Sequence, residues 1–244
     1  MGARANGLGY ASSTLKDVWG IFNNVAGIAQ LEKTTAACTY DLHGSIAGAN
    51  RTAAVFATPL KFGVLGAGAY RFGDYLYNEN IISASFSNKF GLAALGGQVN
   101  YIQYRTEGFG SKGVVSFNLG GIATLTPKLS IGAYITNVTQ PSITETEKLP
   151  TKLAAGIGFT PIEQVFLTAE IEKDLNYDAT GKMGIEYKFD SKFTARTAYN
   201  VNPNTAYFGL GFKTKRLNID YAMQYHAVLS FSQQASVSCQ LNAK

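Results

Sequence analysis

The side chains able to do chemistry are few, and their spacing points away from catalysis. The chain has two histidines, His43 and His226, far apart in sequence. It contains no Gly-x-Ser-x-Gly, no His-Glu-x-x-His and no Cys-x-x-Cys. No enzyme activity, metal or cofactor is therefore expected. Gly63 to Gly68 and Gly96-Gly97 sit inside strand patterns with no helix following, so they do not read as phosphate loops. They suit places where a strand relieves crowding or lets another segment approach. What remains is charge at alternate positions: Glu170, Glu172, Lys182, Glu186, Lys188, Arg196, Lys213, Asp220 and His226. Alternate residues of a strand share one face. Both signs fall on neighbouring segments, so the expected chemistry is mutual pairing in a polar lattice. A lining that selects a permeant solute is the sharper alternative.

The elements that place these charges are strands. From Thr34 onward, apolar and polar residues alternate with a period of two. Ala36, Cys38, Tyr40 and Leu42 oppose Thr35, Thr39, Asp41 and His43. Leu229, Phe231, Ala235, Val237, Cys239 and Leu241 oppose a row of Ser, Gln and Asn that ends at Asn242. The polar rows would face inward and the apolar rows outward. Phe62, Tyr70, Phe72, Tyr101, Tyr187, Tyr199 and Tyr225 would form interface girdles.

The connections carry a second signal. Tight turns are expected at 58–60, 88–90, 126–128, 160–162, 189–191 and 213–215. Longer polar loops, the longest at 139–151, alternate with them. Tight periplasmic turns alternating with longer outer loops mark an outer-membrane barrel. The count is about fourteen strands, an even number with both ends on the periplasmic side. Composition agrees. Charged residues are 15% of the chain against about a quarter in soluble domains, with 26 Gly, 14 Tyr, 15 Phe and mean hydropathy near zero. No apolar run is long enough for a membrane-spanning helix. The formal charge is +5, but Lys and Arg are scattered, which argues against a nucleic-acid partner.

One stretch breaks the pattern. Between Gly2 and Lys33, Leu15, Val18, Ile21, Phe22, Val25, Ile28 and Leu31 recur at helical spacing. Ser12, Ser13 and Thr14 offer N-cap hydroxyls, and Asp17 suits a first turn. Asn23, Asn24 and Gly27 interrupt, so short broken helix is expected. The reading divides the chain into a plug over 1–33 and a transmembrane barrel over 34–244. Barrel closure makes the first and last strands neighbours. Cys38 and Cys239 would then share the outward face near the periplasmic end, where an oxidising compartment permits a disulfide. Two small apolar side chains left unbridged are the alternative. An export signal, removed on maturation, is expected of such a barrel.

Gly2-Ala-Arg-Ala-Asn-Gly-Leu-Gly9, then Asp17, then Phe22-Asn23-Asn24-Val25-Ala26-Gly27 resembles the opening of FadL-like outer-membrane barrels, especially their PorV/PorQ-like branch in Bacteroidota. Val25 stands where that family has proline, which weakens the sharp turn expected there. Ile219-Asp220-Tyr221 and Leu229 through Val237-Ser238 resemble that branch's last hairpin. The resemblance implies a barrel blocked by an N-terminal hatch in the bacterial outer membrane. In FadL transporters the hatch and a lateral wall opening admit hydrophobic molecules. PorV/PorQ-like barrels serve type IX secretion. Short outer loops favour the second role here. An accessory or scaffold barrel of a surface-protein export assembly is thus the leading expectation, with envelope proteins as partners. A small transporter with a hydrophobic ligand is the alternative. Outer-membrane lipid surrounds the wall in either case.

Overall fold

Alternation in the sequence becomes a closed wall in the computed structural model. It describes residues 1–244 except Ser45, Ala47, 143–147 and 242–244. The middle of the 139–151 loop and Asn242 therefore lie outside the described residues. The strands are β1 (Thr35–His43), β2 (Arg51–Leu60), β3 (Gly63–Gly73), β4 (Tyr77–Phe90), β5 (Ala93–Thr106), β6 (Gly110–Thr126) and β7 (Leu129–Thr136). They continue as β8 (Lys152–Ile162), β9 (Val165–Asp174), β10 (Thr180–Lys188), β11 (Phe193–Val201), β12 (Thr205–Lys213), β13 (Leu217–His226) and β14 (Ser230–Gln240). Each pairs antiparallel with its sequence neighbours, and β1 pairs with β14 to close the barrel. Closure leaves no free sheet edge, which a lipid environment requires. No helix among the described residues is long and apolar enough to cross a membrane.

The two faces part as the alternation predicts. Ile82, Phe86, Val115, Phe117, Leu153, Ile157, Ile171, Ile185, Leu210 and Ile219 are exposed on the outside. Ser83, Ser85, Gln98, Asn100, Ser116, Thr168, Gln234 and Ser236 are buried inside. An apolar outer band over a polar interior is the outer-membrane pattern. Two girdle assignments are corrected. Tyr70 and Phe72 share the lumen-facing parity of Val64, so they point inward. Tyr70 packs on Phe22 of the plug. Tyr101, Tyr187, Tyr199 and Tyr225 do lie outside.

The turns fall a little later than the Pro and Asn signals suggest. Pro59 and Pro161 remain within the last residues of β2 and β8. A strand end tolerates the missing N–H. The tight turns are 61–62, 91–92, 127–128, 163–164, 189–192 and 214–216. At the other end, 74–76, 107–109, 202–204 and 227–229 are equally short, and 175–179 is little longer. Only 44–50 and 137–151 are much longer, so the contrast of loop lengths is weaker than expected. The alternation of ends survives.

Register decides the cysteines. Cys38 lies opposite Val237, and Cys239 lies opposite Ala36. The two residues are diagonal rather than facing, with their backbones about 7–8 Å apart as in any antiparallel pair. That exceeds what a disulfide spans, and both thiols are free. The seam is closed by the β1–β14 ladder and by the Thr39 hydroxyl, which donates to the Ala235 carbonyl at 2.8 Å. We predict that thiol-blocked, unfolded chain migrates identically with and without reductant. Both cysteines should be alkylated without prior reduction.

Candidate functional site: the plug, its charged anchors and the thinned wall

The plug is shorter in its helices than the periodicity suggests. One helical turn, α1 (Ala3–Gly7), precedes two 3₁₀ segments, Val18–Phe22 and Val25–Gln30. Ser12, Ser13 and Thr14 do not cap. Asp17 does: its Oδ1 accepts the Trp19 N–H at 3.0 Å. Asn24 caps the second 3₁₀ segment through the Ala26 N–H at 3.1 Å. The turn that a proline would have set is thus made by an asparagine cap, with Val25 following. Most of the apolar face is buried as expected: Leu15, Val18, Ile21, Val25 and Ile28 are inside, while Phe22 is half-buried.

A polar lumen would not receive such a face, and here the lumen is not uniformly polar. Val18, Trp19, Ile21 and Ile28 pack on inward Ala37, Ala53, Val55, Ala57 and Val64. Leu8 and Leu15 pack with Phe166 on the opposite side. The glycines behave as the strand pattern suggested. A Cβ on Gly120 would strike the Asn24 side chain, and one on Gly132 would strike the Ser13 carbonyl. Only glycine lets the plug lie this close to the wall.

The charged lattice is assembled around the plug. Arg4 donates to both Glu186 oxygens, at 2.9 and 3.0 Å, and pairs with Asp17 at 3.2 Å. Glu186 also takes Arg196 at 2.6 Å, which continues to Asp220 at 2.6 Å. The result is one chain of alternating charge: Asp17, Arg4, Glu186, Arg196, Asp220. A second node forms at Glu170. Its Oε2 accepts the backbone N–H groups of Ser12 and Ser13 at 2.9 and 2.7 Å. Its Oε1 accepts Lys182 Nζ at 2.9 Å, and Lys182 also reaches Glu172 at 2.6 Å. Glu170, Glu172, Lys182, Glu186, Arg196 and Asp220 are thus brought together in two clusters. Lys188 joins neither and ends β10 at the barrel mouth ringed by the tight turns. Arg4 and Lys16 are the partners that the period-two reading missed, because they sit on the plug and not on a strand. Lys16 donates to Thr124 and Ser130 hydroxyls at 2.8 and 3.3 Å. Burial, with Lys89 nearby, holds its ammonium below the ordinary lysine value.

Neutral lumen side chains complete the seating. Asn200 donates to the Gly9 carbonyl, Thr168 to Ala11, Gln98 to Ile21 and Ser87 to Val25, at 2.7–3.1 Å. Asn23 donates to the Met1 carbonyl at 3.0 Å, tying the start of the plug to its middle.

Beside the Asn24 contact the wall carries an apolar recess of about 550 Å³ across β5–β8. Ala93, Gly121, Ala123, Ala133 and Ala155 keep it hollow, and Leu95, Ile131 and Ile157 rim it. Inward residues at the same height, Ala94, Ile122, Gly132 and Gly156, line it too. The Asn24 amide donates to the wall carbonyls of Gly121 at 3.0 Å and Ala133 at 3.4 Å. Asn24 therefore holds the plug to the wall beside the recess. Further out, β7 has 8 residues beside a β6 of 17. The described ends of the 137–151 loop meet the wall there: the Val138 N–H donates to the Phe117 carbonyl, and Leu149 sits on Ile102 and Val114.

No family model and no curated protein sequence matches this chain. Solved structures do. It is similar to the CymD monoaromatic hydrocarbon channel, with TM-score 0.79, 13% identity, and coverage of 99% of this chain and 98% of that one. It is similar to the toluene transporter TbuX of Ralstonia pickettii, with TM-score 0.77, 12% identity and coverage of 99% and 98%. The toluene transporter TodX of Pseudomonas putida gives 0.70, 13%, 98% and 96%. At these identities the likeness establishes the fold alone, a closed antiparallel barrel of fourteen strands. It lends nothing to the PorV/PorQ-like branch.

Breaking a buried ion pair by removing one partner costs about 3–5 kcal/mol. Glu186 is shared by two guanidiniums, so Glu186→Ala should loosen the plug by that order while Ile185→Ala outside should not. The check is protease cleavage within residues 1–33 of the bilayer-embedded protein.

Proposed function

We propose that the chain is a small FadL-like channel that passes hydrophobic molecules across the outer membrane. The observation that carries this reading is the apolar recess at the plug-to-wall contact. Its lining is alanine, glycine and branched aliphatic residues, with no charged group. At about 550 Å³ it lies within the range of small-molecule sites, about 300–1,000 Å³. It joins lipid-facing and lumen-facing residues of four adjacent strands, where Gly120 and Gly132 remove the side chains between wall and plug. A neutral aromatic or aliphatic molecule crosses such a surface without stranding a polar group. The fold shared with proteins described as hydrocarbon channels and toluene transporters supports the same reading.

The export-scaffold reading rests on the resemblance of both chain ends to the PorV/PorQ-like branch, to which the similar structures add nothing, and on short outer loops. That feature fits a small channel equally well, and the recess gives a scaffold nothing to do. The channel also needs no large funnel outside, since a hydrophobic solute partitions readily into an apolar mouth.

The test is uptake of radiolabelled toluene by cells whose only hydrocarbon channel is this protein. The wild type should exceed an empty-vector control several-fold. Ala133→Trp and Ala155→Trp fill the recess from the lipid side and should reduce uptake several-fold, with the folded gel mobility retained. Uptake at the control level, or uptake unchanged by both substitutions, contradicts the reading.

A further inference from the structure

The two charged clusters that seat the plug stand at different heights on one side of the barrel, and solvent reaches each from its own mouth. On the side of the tight turns, a polar cavity of about 320 Å³ opens between the plug and β10–β14. Arg4, Asp17, Glu186, Arg196 and Asp220 line it, and Arg4, Asp17 and Asp220 are only partly buried. On the side of the outer loops, Lys182 pairs with the half-buried Glu172, which passes to the exposed Lys152. Lys182 and Glu186 share the inward face of β10, four residues apart, about 13 Å along the strand. Hydrated charge therefore approaches the plug from both ends within one sector of the lumen.

What separates the two clusters is apolar and one layer thick. Gly184, midway between Lys182 and Glu186, presents no side chain to the lumen. Leu8 of the plug lies directly against it: a Cβ on Gly184 would meet the Leu8 carbonyl oxygen, Cα and Cδ2 at 3.0–3.2 Å. Ala198 pairs with Gly184 on one side. On the other, Phe166 stands opposite Glu186 and packs with Ala5, Leu8 and Leu15. Ala5, Leu8 and Leu15 are buried. An apolar constriction sheds water, and an ion crossing it gives up its hydration with no partner in exchange. Toward β1–β3 the apolar contact is deeper, with Val18, Trp19, Ile21 and Ile28 packed on five inward wall residues.

We propose that Leu8 makes the barrel ion-tight, interrupting a charged path that otherwise runs from mouth to mouth along β9–β13. It is a specificity-determining residue, and what it rejects is ions and water. The inference rests on neither the channel reading nor the recess, which lies across β5–β8.

The test is current through the full chain in planar lipid bilayers bathed in concentrated potassium chloride. The wild type should show no conductance steps. Leu8→Ser shortens the side chain and sets a hydroxyl between the two clusters, so it should give steps at least tenfold above the wild-type baseline. Leu8→Ala, a milder cut at the same place, should conduct as well. Ile28→Ser removes similar apolar volume from the β1–β3 side, away from the charged sector, and should stay at baseline. Protease resistance of residues 1–33 checks that the plug remains seated in each variant. A conducting wild type overturns the proposal, whether or not the variants fold. So does silence of both Leu8 variants, or conductance of Ile28→Ser equal to theirs with the plug seated. Because the readout is ion current and not hydrocarbon uptake, failure of the channel reading leaves this result intact, and the converse holds.

Discussion

A segment of thirty residues with one helical turn and two 3₁₀ pieces cannot satisfy its own backbone. Inside a barrel, where water is limited, every N–H and C=O it leaves open must find a partner. The lumen is built to supply them. Glu170 takes two successive plug N–H groups, and Asn200, Thr168, Gln98 and Ser87 donate to plug carbonyls. Seen this way, the polar interior is not chiefly a water lining. It is the complement of one irregular chain, and the barrel and plug define each other.

Charge then fixes orientation. Hydrogen bonds to carbonyls could be met by many placements of a flexible segment. Arg4 cannot be so accommodated, since its guanidinium needs Glu186 on one side and Asp17 on the other. Glu186 in turn needs Arg196, and Arg196 needs Asp220. Removing any member strands a buried charge, so the row acts as one unit. The apolar contacts of Val18, Ile21 and Ile28 with small inward residues of β1–β3 hold the far side of the plug. Between these two attachments, Asn24 meets the wall beside the apolar recess. There Ala26 packs on Ala94 and Ile122, so the plug is held to the wall on this side as well.

Much of this was legible in the sequence, and the part that was not has a physical cause. Period-two alternation is a strong signal because lipid outside and plug inside impose opposite demands on neighbouring residues. Strand number, closure and the inward charges Glu170, Lys182, Glu186 and Arg196 follow from it. The gap at Gly66, Gly68 and Gly96 was readable as a place for the plug to approach. Arg4 was not readable as a partner, since nothing in its own segment tells which strand it meets. Tyr70 and Phe72 were misplaced because an aromatic residue near a strand end has the composition of a girdle but the parity of the lumen. The cysteines failed for a similar reason: strand adjacency was deducible, but a stagger of two residues was not. The recess was invisible because alanine and glycine on an outward face look unremarkable one strand at a time. It exists only when the registers place Ala93 opposite Ala123, Gly121 opposite Ala133 and Ala133 opposite Ala155 across four strands.

The central claim is that residues 1–33 are a built-in part of the barrel, held by buried charge and by lumen hydrogen bonds. Hydrogen–deuterium exchange of the protein in lipid nanodiscs tests it most directly. Backbone amides between Ala3 and Leu31 should be protected to a degree comparable with the strands, with the strongest protection at Ser12 and Ser13 on Glu170. Exchange of this segment at the rate of a free peptide, while the strands stay protected, would contradict the account.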